Sequence, residues 1–235
     1  MAFAINYDTA TPVQMLQNIK LTTAVTLENG PDVYAKLNAL SRQHTQLQDP
    51  APDLNTVASI AWLANPSVDS KKMSIMLPAG TSLFQAAQAI ALKRGEEAID
   101  QRNYILIVPA KHQALLKTYL ETGGDETGPL LDRWFGAIIP PGVTDLEAID
   151  LPTLTDFING KFKESLAYDP SETAGPFTIK ITPLGGAKAA KFSAIGEWSY
   201  RTLVEACCQL LDLRWKIVGS NVVVEPPNAK STPAK

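Results

Sequence analysis

The stretch Trp198–Pro227, WSYRTLVEACCQLLDLRWKIVGSNVVVEPP, decides the fold reading. Tyr200, Leu203, Val204, Cys207 and Cys208 recur at helical spacing, and Val222, Val223 and Val224 form a β-branched run. The stretch therefore reads as an amphipathic helix, a turn, a strand, a short turn and a second strand. An earlier stretch, Thr81–Ala110 (TSLFQAAQAIALKRGEEAIDQRNYILIVPA), repeats the pattern without a gap. Its helix buries Leu83, Ala86, Ala87, Ile90 and Ala91 at i, i+3, i+4, i+7 and i+8. Thr81 or Ser82 is placed to cap that helix and Gly95 to stop it. Ala98 to Asp100 and Tyr104 to Val108 make a hairpin. Overlaid, Ser82 falls on Ser199, the five helix-face residues fall on Tyr200, Leu203, Val204, Cys207 and Cys208, and Pro109 falls on Pro226. The overlay preserves burial class rather than identity, which is what a duplicated packing unit requires.

Working outward, residues 1–20 are expected to form a polar leading arm with a short helical pattern at Val13, Leu16 and Ile19. Thr22 to Leu27 reads as a strand. Pro31 suits the first turn of a helix whose apolar stripe is Val33, Tyr34, Leu37 and Leu40. Val57 to Leu63 and Met73 to Leu77 read as strands on either side of an Asn65-Pro66-Ser67 turn. The segment 111–143 is expected to be a helical linker, with Gly123-Gly124 inside its clearest loop and Trp134 placed to staple the two copies together. The second copy begins with a short strand at Leu146 to Ile149. A helix follows from Pro152, with Leu154, Phe157, Ile158 and Phe162 inward. A short strand is expected at Leu166 to Tyr168 and an alternating one at Phe177 to Ile181. Pro183 to Ile195 is expected to be a long glycine-rich loop, and 228–235 a disordered tail.

The expected fold is thus α+β: two tandem small sandwiches, each a mixed sheet with two helices in the order β-α-β-β-α-β-β. The first would span 21–110 and the second 144–227.

The second copy carries a family resemblance. Thr155-Asp156-Phe157-Ile158, Ala167-Tyr168-Asp169-Pro170, Phe177-Thr178-Ile179-Lys180-Ile181, Ser199-Tyr200-Arg201-Thr202-Leu203 and Asn221-Val222-Val223-Val224 together resemble the short N-terminal domain shared by secretins and TonB-dependent receptors. The resemblance implies a periplasmic protein-interaction or ring-building module of a cell-envelope system, and no enzymatic activity. It covers about a third of the chain directly and about two thirds with the first copy included.

Composition sets the other bounds. The 235 residues are 45% hydrophobic and 19% charged, with a net charge of −3, and Lys and Arg are scattered singly. A nucleic-acid partner is not expected from that distribution. No apolar run approaches the roughly 18 residues of a membrane span. The first residues lack a signal-peptide pattern, which gives a cytoplasmic protein if the start is native and a periplasmic one if a leader has been removed.

Chemistry-bearing residues are few. His44 and His112 have no motif to supply a nucleophile or an orienting carboxylate. Cys207 and Cys208 are a thiol or metal candidate, but their counterparts Ile90 and Ala91 are core positions, which favours packing. Gly123-Gly124 and Gly185-Gly186 lack a phosphate-loop frame. Asp125, Glu126, Asp145, Glu147 and Asp150 lack metal-loop spacing. No catalytic, cofactor or metal residue is expected. The candidate partner-binding residues are Trp198 and Trp134 with Gly185 and Gly186, and the expected partner is another protein or a second copy of this chain. Two rivals share the composition: a phage or virion structural component, and an enzyme or ligand binder with its site between the copies.

Overall fold

The computed structural model describes residues 16–46, 59–102, 104–110, 144–168, 178–181, 190–218 and 221–226. It is a mixed α+β protein. In chain order the elements are β1 (Val25–Glu28), α1 (Val33–Gln46), β2 (Ile60–Leu63), α2 (Pro66–Asp69), β3 (Ser74–Leu77), α3 (Leu83–Arg94), β4 (Glu96–Asp100), β5 (Ile105–Pro109), β6 (Thr144–Ile149), α4 (Leu151–Tyr168), β7 (Thr178–Ile181), β8 (Phe192–Gly196), α5 (Tyr200–Leu211), β9 (Arg214–Val218) and β10 (Asn221–Glu225).

The two stretches read first from the sequence fold alike. Ser82 caps α3 by accepting from Gln85 N–H while the Gln85 side chain accepts from Ser82 N–H. Ser199 caps α5 through the same reciprocal pair with Thr202. Each cap satisfies two amide donors that a helix start otherwise leaves open. The five inward residues expected on each helix are all buried. Both helices end on a left-handed residue, Gly95 at φ 74° and Asp212 at φ 61°. Glycine enters that region freely, whereas a residue with a Cβ is strained there by about 1 kcal/mol. Asp212→Gly is therefore expected to raise the urea midpoint by the equivalent of about 1 kcal/mol. An unchanged or lower midpoint would count against this capping geometry.

The hairpins also agree in register. Ala98 pairs with Ile107 in the first, and Trp215 with Val224 in the second. Each hairpin then takes one parallel strand on its second strand: β2 on β5, and β7 on β10. The result is the order β4-β5-β2 in one place and β9-β10-β7 in the other.

Two compact units divide the chain. The first holds the described residues up to Ala110 together with 144–147 and 193–197, and the second holds the remainder. In the first unit β1 and β3 form an antiparallel pair, with Val25 opposite Leu77 and Glu28 opposite Ser74. The other sheet of that unit has five strands in the order β4-β5-β2-β8-β6. This departs from the expected arrangement, in which each copy closes its own mixed sheet. Strands β6 and β8 come from the second half of the sequence and extend a sheet begun by the first half.

Three local expectations need correction. The region Pro183 to Ile195 is not loop throughout, since β8 occupies its end. All five residues of β8 are buried, so it shows no alternation, as befits an interior strand. Leu166 to Tyr168 is the last turn of α4 rather than a strand. Lys161 to Ala167 contains good helix formers and no breaker, and only Asp169-Pro170 ends the run. The described end of the expected N-terminal arm is core: residues 16–18 are helical, and Leu16, Ile19 and Leu21 are buried. Leu21 N–H donates to Thr81 O at 2.9 Å and Leu83 N–H to Ile19 O at 3.0 Å, which ties this segment to the start of α3. The expected linker 111–143 and tail 228–235 lie outside the described residues.

Candidate functional site

The densest polar constellation among the described residues is buried in the first unit and centres on Arg94. Gly95 ends α3 directly after Arg94, and β4 starts at Glu96, so the turn sets the two side chains together. Arg94 Nε donates to Glu96 Oε2 at 2.8 Å. Nη2 donates to Asp69 Oδ1 at 2.6 Å and to Glu96 Oε1 at 3.3 Å. Nη1 donates to Asn29 Oδ1 and to Gly30 O. These contacts use all five guanidinium N–H groups. Asn29 in turn donates through Nδ2 to Val68 O at 2.8 Å and to Lys71 O at 2.9 Å. Tyr34, from α1, donates its hydroxyl proton to Glu96 Oε2 at 2.6 Å and lies under the guanidinium, with its ring 5.5 Å from Arg94 Cζ. The Trp62 ring of β2 stacks at a tilt on Tyr34, 5.4 Å away.

This arrangement ties α1, α2, α3 and β4 to one another. Every donor of the cation is spent, and the carboxylate of Glu96 is occupied by both Arg94 and Tyr34. The charge-assisted bonds to both carboxylates hold Arg94 protonated above its ordinary range, against its burial. Burial and then the facing Glu96 carboxylate push the Tyr34 phenol well above its usual value. A phenol pKa raised by folding adds stability that is fully present below the unfolded value, about 10, and is lost as pH rises beyond it. Stability should therefore fall at alkaline pH, the Tyr34 share of the fall beginning at about pH 10, and Tyr34→Phe should make that slope shallower, the buried Cys207 and Cys208 thiols keeping their own part of it, while costing about 1.5–3 kcal/mol at neutral pH. A titration of urea midpoint against pH in both proteins checks this. An identical alkaline slope in Tyr34→Phe would refute the assignment.

An arginine and a glutamate flanking a helix-stopping glycine are the one local sign of this cluster. Its members, Asn29, Tyr34, Asp69, Arg94 and Glu96, are spread over 68 positions of the chain (Asn29 to Glu96), too far apart to form a spacing motif.

The candidate residues singled out from the sequence fall elsewhere. Trp198 is 2% exposed, so its indole is core and presents no surface to a partner in this conformation. Trp134, Gly185 and Gly186 lie outside the described residues, as do His112, Gly123, Gly124, Asp125 and Glu126. His44 falls in the last turn of α1. Asp145 and Glu147 are exposed on β6. Asp150 starts α4, accepting from Thr153 N–H at 3.0 Å and Thr153 Oγ1 at 2.7 Å, which draws its carboxyl below the usual range. Trp215 is buried on β9.

Cys207 and Cys208 are both buried and unbridged. Burial pushes both thiols well up, Cys207 further through its neighbour Cys208 and Cys208 through Glu205. A nucleophile or metal ligand requires the thiolate. Native protein is expected to leave both thiols unreacted with a disulfide reagent such as DTNB over hours, and denatured protein to titrate two. Rapid native labelling of either would contradict their packing.

No group of three or more His, Cys, Asp or Glu among the described residues is arranged to hold a metal ion. No helix among them is long and apolar enough to cross a membrane.

The other feature of the first unit is the set of its strand edges. Where β8 enters the first unit's sheet, Ser59 Oγ, just before β2, donates to Glu197 O, just after β8. Ser59 O also accepts from Ile105 N–H at 2.8 Å. One serine therefore fastens β8 to a strand pair from the first half. Ile195 of β8 belongs to the same apolar cluster as Ile60, Trp62, Ile105 and Ile107. Strand β3, by contrast, has β1 on one side and no strand on the other among the described residues. Its Met76 is 73% exposed.

No family model matches the chain, and neither a curated protein nor a solved structure matches it.

Proposed function

We propose that this chain is a non-enzymatic interaction module, built from two copies of one α+β unit, that assembles by adding strands to sheet edges. The observation that carries the reading is the five-stranded order β4-β5-β2-β8-β6, in which strands from the second half complete a sheet of the first. Within one chain, the edge of a β4-β5-β2 sheet is thus already a receptor for a strand pair. Strand addition of this kind draws affinity from main-chain hydrogen bonds and needs no catalytic group. The common cap, helix and hairpin geometry of Ser82–Pro109 and Ser199–Pro226 supports the duplication.

The buried guanidinium is saturated, and the vicinal thiols are packed away. The resemblance of the second copy to the short N-terminal domain of secretins and TonB-dependent receptors supports an envelope setting for the assembly.

Sedimentation velocity across a concentration series tests the proposal. The expected result is a weight-average mass that rises above the 25.4 kDa monomer as concentration increases. A constant monomer mass up to the solubility limit would remove self-assembly.

A further inference from the structure

We infer that the outer edge of β3 in one copy of this chain pairs with the outer edge of β7 in a second copy, joining chains head to tail. The inference rests on the assembly reading above and gives it a specific pair of surfaces. Its starting point is the matching of strands between the two halves. The sheets β4-β5-β2 and β9-β10-β7 have the same order and the same parallel and antiparallel pairings. In the first sheet, Ile60, Ala61 and Trp62 of β2 stand beside Ile105, Leu106 and Ile107. In the second, Ile179, Lys180 and Ile181 of β7 stand beside Val222, Val223 and Val224. β7 is therefore the counterpart of β2.

The pairs β1-β3 and β6-β8 are counterparts as well. Each places the first strand of its half next to the strand that precedes the Ser-capped helix. In the observed junction, β8 lies between β6 and β2. Moving each strand to its counterpart puts β3 between β1 and a β7. This chain has used its own β2 for β8. The β3 and β7 edges are left, one donor and one receptor, with no strand on either among the described residues.

The backbone of β3 suits the role. Asn29 N–H donates to Met73 O at 2.9 Å, and Asn29-Met73 continues the register of Leu27-Ile75 and Val25-Leu77. Bonding alternates along an antiparallel pair, so Ser74 and Met76 turn their N–H and C=O groups away from β1. That is the outer edge. Ile75 and Leu77 are buried while Met76 projects outward. At the corresponding place in β8, counted back from the capping serine, stands Ser193, which is buried. Lys93 Nζ donates to Ser74 O at 2.7 Å among exposed atoms. A lysine held over an edge restrains indiscriminate pairing. The matching residue in the second half is Leu210, which is buried.

A donor edge and a different receptor edge make a heterologous contact, which generates rings if the rotation closes and filaments if it does not. The test uses the full chain with cysteines on the two strands, Met76→Cys combined in turn with Thr178→Cys or Lys180→Cys. After mild oxidation, a non-reducing gel should show a ladder of covalent multimers for at least one double variant. A mixture of Met76→Cys chains with the matching β7 single variant should give mixed dimers and no ladder. Separately, Met76→Pro removes an outward N–H without touching the β1 ladder. It should return the sedimenting species to monomer with an unchanged circular dichroism spectrum, and Leu92→Ser, at the other large exposed apolar side chain, should leave association intact. Association that persists without any β3-β7 crosslink, or that Leu92→Ser abolishes and Met76→Pro does not, overturns this pairing and leaves the assembly reading standing. A strict monomer in every experiment overturns both.

Discussion

Arg94→Ala is expected to destabilise the first unit by about 3–5 kcal/mol, the cost of leaving buried charge without its partner. The substitution strips Glu96 and Asp69 of their cation while Tyr34 still holds Glu96 in place. Two carboxylates then share a site that is largely closed to water, and Asn29 Oδ1 and Gly30 O lose their donor. A loss of this size is a large share of the about 5–15 kcal/mol that holds a typical domain together. Arg94→Lys is expected to recover little, because a single ammonium cannot serve acceptors that now take five N–H groups in a planar fork. Urea unfolding followed by the fluorescence of Trp62, which lies against Tyr34, reads the effect. A midpoint in Arg94→Ala within about 0.5 kcal/mol of the parent would mean that the network is a solvated surface pair in solution.

The second large effect belongs to β8. Ala194→Pro is expected to cost roughly 3 kcal/mol or more, the upper range for one substitution. Ala194 is fully buried in a strand with neighbours on both sides, and proline there removes a ladder donor and introduces a ring into a filled space. The diagnostic lies in where protection is lost. Amide hydrogen exchange should accelerate in β2, contributed by the first half of the sequence, and in β6, contributed by the second. Loss confined to residues after 143 would show that β8 belongs only to the second half.

The sequence reading succeeded where local signals and burial agree. The caps at Ser82 and Ser199, the stop at Gly95 and the buried faces of α3 and α5 follow from side-chain chemistry and helical period. The hairpins followed from alternating or β-branched runs beside turns. Strand β8 was missed because Phe192-Ser193-Ala194-Ile195-Gly196 offers one aromatic and one β-branched residue among small ones, beside glycine-rich sequence. An interior strand covered on both faces has no reason to alternate. Its partner is β2, more than a hundred positions earlier, and no local pattern encodes a pairing at that distance. The Arg94 cluster stayed hidden for a related reason, because its five members come from five separate segments and meet only after α1, α3 and β4 have packed. Trp198 shows a different limit. An aromatic residue beside a long glycine-rich region can pack into the core or anchor a partner, and the fold makes it one of the largest fully buried side chains.

The shared sheet exists only if β8 lies beside β2. Amide-to-amide nuclear Overhauser effects in a deuterated sample measure that adjacency directly. Cross-strand contacts between 60–63 and 192–196, persisting at the lowest concentration at which the protein is monomeric, are the predicted result. Contacts of 192–196 with β7 or β10 instead, and none with 60–63, would contradict the shared sheet and with it the strand-addition mode of assembly.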